Sequence, residues 1–149
     1  MPKCRTHTLA GAAAGAGLAA YHARHEVSDH QLVEIAGGVL GGAWGGRLPD
    51  LLEPATSPCH RDLAHSCLSL VAAGALTLEE WRRSCRGRAE DYGRRLANPE
   101  LTSEARLLYA ILEVVWRLAA GVLTGLQAGY ASHLVLDGCT PSGLPLLVR

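Results

Sequence analysis

Phenylalanine is absent from the 149-residue chain, and no stretch alternates apolar with polar residues long enough to make a strand. A sheet-based architecture is therefore not expected. Net charge is absent as well, because 14 basic residues balance 14 acidic ones. Without a basic excess there is no electrostatic footprint for a polyanion, and no nucleic-acid partner is expected. Arginines do cluster between Arg82 and Arg95, but Glu79, Glu80, Glu90 and Asp91 accompany them, which is the pattern of a solvated helix face. No C-x-x-C pair occurs among Cys4, Cys59, Cys67, Cys85 and Cys139, and their number is odd. This argues against a disulfide framework or a cysteine zinc knuckle and fits a reducing cytosol. Cys67 and Cys85 read as small core residues. Cys59 and Cys139 lie beside polar clusters and are candidates for lining a site.

A long uninterrupted apolar run is also missing. Leu9 to Ala20 is apolar but too short to span a bilayer, and Tyr21, His22, Arg24 and His25 follow it. It lacks a cleavage site of the secretory kind. Leu107 to Leu136 is longer but carries Glu113 and Arg117, which are costly in lipid unless they face a bundle interior. The expectation is a water-soluble helical bundle, with peripheral membrane contact left open.

Helical periodicity is present throughout. The chain is expected to form one all-α domain of about five helices, covering residues 1–149, with a polar metal site between helices. A first helix is placed from about Thr8 to Arg24. A second begins after Ser28, where Ser28-Asp29-His30-Gln31 has the form of a capping box, and ends near Gly46. Pro49, Pro54 and Pro58 make Arg47 to Cys59 a loop. A third helix follows from about Arg61 to Gly74. Thr77-Leu78-Glu79-Glu80 is another capping box and opens a polar helix that stops before Asn98-Pro99. A long fifth helix starts near Thr102 or Ser103 and runs to Asp137. Gly138 to Pro145 is a turn-rich tail.

Glycine recurs every four residues at Gly37, Gly41 and Gly45, at Gly38, Gly42 and Gly46, and at Gly11 and Gly15. Each helical glycine costs roughly 1 kcal/mol relative to alanine. Close helix packing along small-residue ridges is the expected compensation. Antiparallel packing of the first two helices would bring His7 toward Asp50.

Polar chemistry concentrates in three places. His133 and Asp137 lie four apart, on one helical face, where an imidazole and a carboxylate can hold the same divalent cation. Gly45 to Asp50 and Cys59 to Ser66 are the other two clusters. In a chain otherwise rich in alanine, glycine and leucine, they suggest one buried metal site built from distant segments. His22, His25 and His30 fall in a polar junction and are expected to be exposed.

Taken in order, these motifs resemble a known family. The segments are Thr6-His7-Thr8-Leu9-Ala10-Gly11, Gly45-Gly46-Arg47-Leu48-Pro49-Asp50, His60-Arg61-x-x-x-His65-Ser66, and Gly129-Tyr130-x-Ser132-His133-x-x-x-Asp137-x-x-Thr140-Pro141-x-Gly143-x-Pro145. Together they are similar to the YdjM-like metal-dependent hydrolases, proteins mostly associated with the bacterial inner membrane. The resemblance runs nearly end to end. It departs at Leu52, where the family commonly has a second acid, and at Asp62 and Ala64, where glycine and threonine are common. The last motif ends close to Arg149, so membrane integration is less expected here than in the family. A more distant analogy is to the helical fold of zinc-dependent phospholipase C and P1-type nuclease.

The resemblance implies a divalent metal held by His7, Asp50, His65, His133 and Asp137, with His60 able to join them from a loop. Nitrogen and oxygen ligands suit zinc, with manganese or iron(II) as alternatives. It implies hydrolysis of a small-molecule or lipid phosphoester, in the cytoplasm or at the cytoplasmic face of the inner membrane. Asp50 or Asp62 would accept a proton from water, and Arg61 would offset charge on the transferred group. Ser66, Ser132 and Thr140 are expected to orient ligands. Two other readings stand beside this one: a non-catalytic scaffold tied by a metal or a polar network, and a membrane-associated binding protein. Leu52 favours the scaffold.

Overall fold

The chain was analysed as a computed structural model, which describes residues 4–52 and 77–139. Five helices and no strand occur among the described residues. They are α1 (Cys4–His22), α2 (Ser28–Gly45), α3 (Leu48–Leu52), α4 (Thr77–Leu96) and α5 (Ser103–Gly138). The all-α expectation holds. The helix placed at Arg61 to Gly74 and the tail beyond Cys139 lie outside the described residues.

Two local expectations are corrected. Ser28 does not cap α2, because it is already the first helical residue. The N-cap is Val27, which offers no side-chain bond, and Gln31 Nε2 instead donates to the Glu26 carbonyl at 3.0 Å. The segment after Arg47 is not all loop, since α3 forms a single tight turn. Pro49 sits in the first turn of α3, where its fixed φ suits a helix and its missing N–H costs nothing. The Leu51 N–H closes that turn on the Arg47 carbonyl at 3.1 Å. By contrast α5 starts where expected, with Thr102 Oγ1 accepting from the Ala105 N–H.

Helices α1, α2 and the second half of α5 form the core, and glycine decides how they meet. Gly11 and Gly15 of α1 abut Gly38 and Gly42 of α2 and its C-cap Gly46 through backbone atoms. On its other side, α2 presents Gly37, Gly41 and Gly45 to the α5 backbone at Leu118, Val122 and Leu126. Gly125 and Gly129 of α5 press against Gly38, Gly42 and Gly46. A methyl group at any of these positions would overlap a neighbouring backbone carbonyl. The helical cost of glycine is thus offset by dense backbone-to-backbone dispersion contact.

Helix α4 is polar and packs on the first half of α5. Tyr92 meets Tyr109 with ring centroids 5.8 Å apart, Arg88 lies over the Trp116 ring, and Gly93 leaves room for the Glu113 carboxylate. Its arginines are only partly the solvated face expected. Arg82 and Arg83 both bond Glu79, and the Arg82 guanidinium holds the Glu79 carboxyl down at about 2. Arg86, however, reaches across to buried Glu34 on α2.

The interior is the reverse of a water-soluble core. Its buried apolar side chains among the described residues are Ala19, Ala23, Ala89, Ala120, Tyr130 and Leu134, while His7, Glu34, Glu113, Arg117, Thr124, His133 and Asp137 are also buried. Leu9, Leu32, Leu40, Trp44, Val114, Val115 and Val135 face outward.

The glycine contacts yield a paired prediction for thermal unfolding. Gly42→Ala is destabilised by about 1–3 kcal/mol, the usual cost of overpacking. Gly17→Ala, whose added methyl meets nothing within 4 Å, gains up to about 1 kcal/mol from helix propensity.

Candidate metal centre

The four-residue glycine registers run on into polar residues. On α1 the register reads His7, Gly11, Gly15, Ala19; on α2 it reads Glu34, Gly38, Gly42, Gly46 and then Asp50. On α5 it reads Glu113, Arg117, Gly121, Gly125, Gly129, His133, Asp137, every one of them buried. The small residues draw the helices together, and the same face then delivers side chains to each end of the contact.

At one end, His7, Asp50 and His133 converge, with one ligand atom from each lying within 4.8 Å of the others. His133 is fully buried, and its Nδ1 donates to the Gly46 carbonyl at 2.8 Å. A carbonyl only accepts, so this bond places the proton on Nδ1 and turns Nε2 toward the carboxylates. Nε2 is 3.6 Å from Asp50 Oδ1 and 3.6 Å from Asp137 Oδ2. Asp137 Oδ1 is in turn 3.6 Å from His7 Nε2. The two imidazoles stack with centroids 3.9 Å apart.

These separations are too long for N–H···O hydrogen bonds, which close to 2.7–3.2 Å. They do match the distance between neighbouring ligands of a tetrahedral ion, about 3.3–3.6 Å when each ligand lies about 2.0–2.2 Å from it. The donor set is nitrogen and carboxylate oxygen, with one imidazole tautomer fixed from behind by a backbone carbonyl, the usual support for a ligating histidine. These residues fit a divalent cation. Asp50 is half exposed at the side chain and, among the described residues, lines a cleft of about 450 Å³ with Trp44, Arg47 and Leu51.

His7, Asp50, His133 and Asp137 are thus brought together as expected. His60, Arg61, Asp62 and His65 lie outside the described residues, as do Cys59, Cys67, Ser66 and Thr140. Ser132 bonds none of the His7, Asp50, His133 and Asp137 side chains. Its hydroxyl folds back onto the Gly129 carbonyl at 2.8 Å, the back-bonding common to serine inside a helix. Cys139 is exposed beyond the end of α5, and Cys85 is half-buried on α4, where burial pushes its thiol up.

The opposite end of the core holds a charge cluster that sequence reading missed. Arg117 bonds Glu113 at 3.2 Å, Glu26 at 3.2 Å and Glu34 at 3.4 Å. Arg86 joins it through Glu34, and its Nη1 donates to the His22 carbonyl. His30, expected to be exposed, is half-buried and lies 3.2 Å from Glu113. The signal was available: Glu34 precedes Gly38 by four residues, as Arg117 precedes Gly121.

The family model described as YdjM inner membrane protein matches residues 1–148, and the chain belongs to that family. No curated protein and no solved structure matches it, so the phospholipase-like analogy gains no support. Family and surface agree on membrane association: α5 is long and apolar enough to cross a membrane, and only 28% of its most apolar window is buried. Small residues between helices and apolar ones outside are what hydrocarbon solvation selects. The membrane contact left open beside the expected water-soluble bundle is the part these findings support.

Arg117 carries the charge cluster. Arg117→Ala leaves carboxylates buried without their shared partner and should lower stability by about 3–5 kcal/mol. Arg94→Ala, which loses only an exposed pair with Asp91, should cost less than about 1 kcal/mol. Chemical denaturation of the two variants in one detergent checks the contrast.

Proposed function

We propose that this YdjM family member is a membrane-embedded, metal-dependent hydrolase of phosphoesters, with zinc as the preferred ion. The observation that carries the reading is His133. Its Nδ1 is committed to the Gly46 carbonyl while its Nε2 faces two carboxylate oxygens 3.6 Å away. Carboxylate oxygens and an imidazole lone pair gathered at this spacing are the donor set that a divalent cation takes.

The core suits a bilayer in length. The 19 residues of α1 and 18 of α2 rise about 28 Å and 27 Å at 1.5 Å each, close to the roughly 30 Å hydrocarbon thickness. Their polar ends then fall near the two interfaces, where buried charge is least costly.

His7, His133 and Asp137 would hold the ion from within the bundle, and Asp50 would complete the set from the cleft side. A bound divalent cation supplies an acidified water and polarises a phosphoryl oxygen. Asp50, half exposed, is placed to take up a proton from a water arriving through the cleft. Buried Asp137, 3.6 Å from both imidazoles, would share the ion with them. The family motif adds His60, His65, Arg61 and Asp62 to this proposal as further ligands and charge-compensating groups.

Metal analysis of the purified full chain, paired with phosphoester hydrolysis assays, tests the reading. Wild type is expected to carry about one equivalent of metal or more, and Asp50→Asn and His133→Ala to lose most of it together with activity. A folded wild type without metal under zinc supplementation would leave the cluster as a structural polar network.

A further inference from the structure

The cleft beside the candidate centre has a composition that the metal does not explain. It is lined by Trp44, Arg47, Asp50 and Leu51. Arg47 is exposed and makes no side-chain hydrogen bond or ion pair among the described residues, although its backbone is fixed on both sides. Its N–H bonds the Trp44 carbonyl at 2.9 Å, and its carbonyl accepts from the Leu51 N–H at 3.1 Å. It also follows Gly46, whose carbonyl pins His133. Its main chain is therefore as firmly placed as the centre itself. Trp44, Leu51 and Leu52 around it are exposed at 63%, 66% and 61%.

Charge counting gives Arg47 a use. Among the described residues of the centre, Asp50 and Asp137 supply two carboxylates, which one divalent ion offsets, and the family motif's Asp62 and Arg61 would offset each other. A phosphoester arriving at that neutral centre brings its own negative charge. Arg47 is the one cation among the described residues lining the cleft, and a guanidinium fork suits phosphate oxygens in pairs. The flanking tryptophan and leucines are unsuited to a small hydrophilic ester. Tryptophan favours the membrane interface, with its ring among the upper chain segments and its N–H toward the headgroups.

Resting on the hydrolase reading of the same site, we infer that its substrate is a lipid-borne phosphate. The phosphate is received by Arg47, and the acyl chains leave over Trp44, Leu51 and Leu52 into the bilayer. Arg47 is the headgroup-selecting residue, and the apolar rim selects lipid over the free headgroup.

The test is equilibrium binding of three probes to the detergent-solubilised full chain: dihexanoyl phosphatidic acid and glycerol 3-phosphate, both as non-hydrolysable phosphonate analogues, and dihexanoylglycerol. Wild type should bind the first at least about tenfold more tightly than either of the others, since even a few buried methylenes and one charge pair are each worth that much. Arg47→Glu should abolish the preference for phosphatidic acid over dihexanoylglycerol, and Arg47→Lys should retain part of it. Trp44→Ala should narrow the preference over glycerol 3-phosphate. Equal binding of glycerol 3-phosphate and phosphatidic acid would mean a soluble phosphate is the ligand and would overturn the inference. So would equal binding of phosphatidic acid by wild type and Arg47→Glu. Metal content measured on the same samples separates the two claims: absent metal refutes the hydrolase reading, while the probe comparison alone decides the lipid site.

Discussion

The backbone contact between glycines of α1, α2 and α5 is the constraint on which the rest of the structure depends. Gly42 is its centre, touching Gly11 and Gly15 on one side while Gly125 and Gly129 press on it from another. Helices separated by ordinary side chains lie 8–10 Å apart, and glycine removes the side chains that keep them there. Nothing at this contact is directional. Specificity comes from the repeat of four, which lines up three ridges and fixes their register along the axis.

That register explains why the polar groups meet where they do. A ridge that places Gly129 against α2 places His133 and Asp137 one and two turns further along the same face. The α2 ridge ends at Gly46, whose carbonyl is taken by His133, and the buried Pro49 then turns the chain so that Asp50 arrives at the same point. At the other end the ridges finish in Glu34, Glu113 and Arg117. The interior is small in its middle and charged at both ends, with apolar side chains left for the exterior. In water this arrangement would forgo most of the hydrophobic gain of folding. In hydrocarbon it loses little, because lipid solvates the outer leucines and valines while packing and paired charges hold the centre.

Much of this was legible in the residues. The helix starts at Thr102, the polar helix after Thr77 and the glycine ridges follow from capping chemistry and period. The meeting of His7 with Asp50 followed from antiparallel packing of two helices joined by a short loop. Other features were hidden for physical reasons. Ser28 looked like a cap, but Gln31 was drawn to the Glu26 carbonyl and Val27 took the cap position. Three prolines suggested a loop after Arg47, whereas Pro49 at a first helical turn promotes one. Glu113 and Arg117 looked like an obstacle to membrane residence because composition does not reveal that each faces a partner. Continuing the glycine registers outward would have placed them, Arg117 and Glu34 at the first step and Glu113 at the second.

Two sets of charges thus serve different ends. The Glu26, Glu34 and Glu113 carboxylates are paired by Arg117, Arg86 and His30, which ties α2 to α4 and α5. The His7–Asp50–His133–Asp137 group, proposed to hold a cation, borders a cleft through Asp50. The most direct measurement is zinc K-edge X-ray absorption on the zinc-loaded full chain. The account predicts a shell of nitrogen and oxygen ligands at about 2.0–2.2 Å, outer-shell scattering from at least two imidazoles, and no sulfur. A sulfur shell, or a spectrum of hydrated zinc without imidazole scattering, would contradict it.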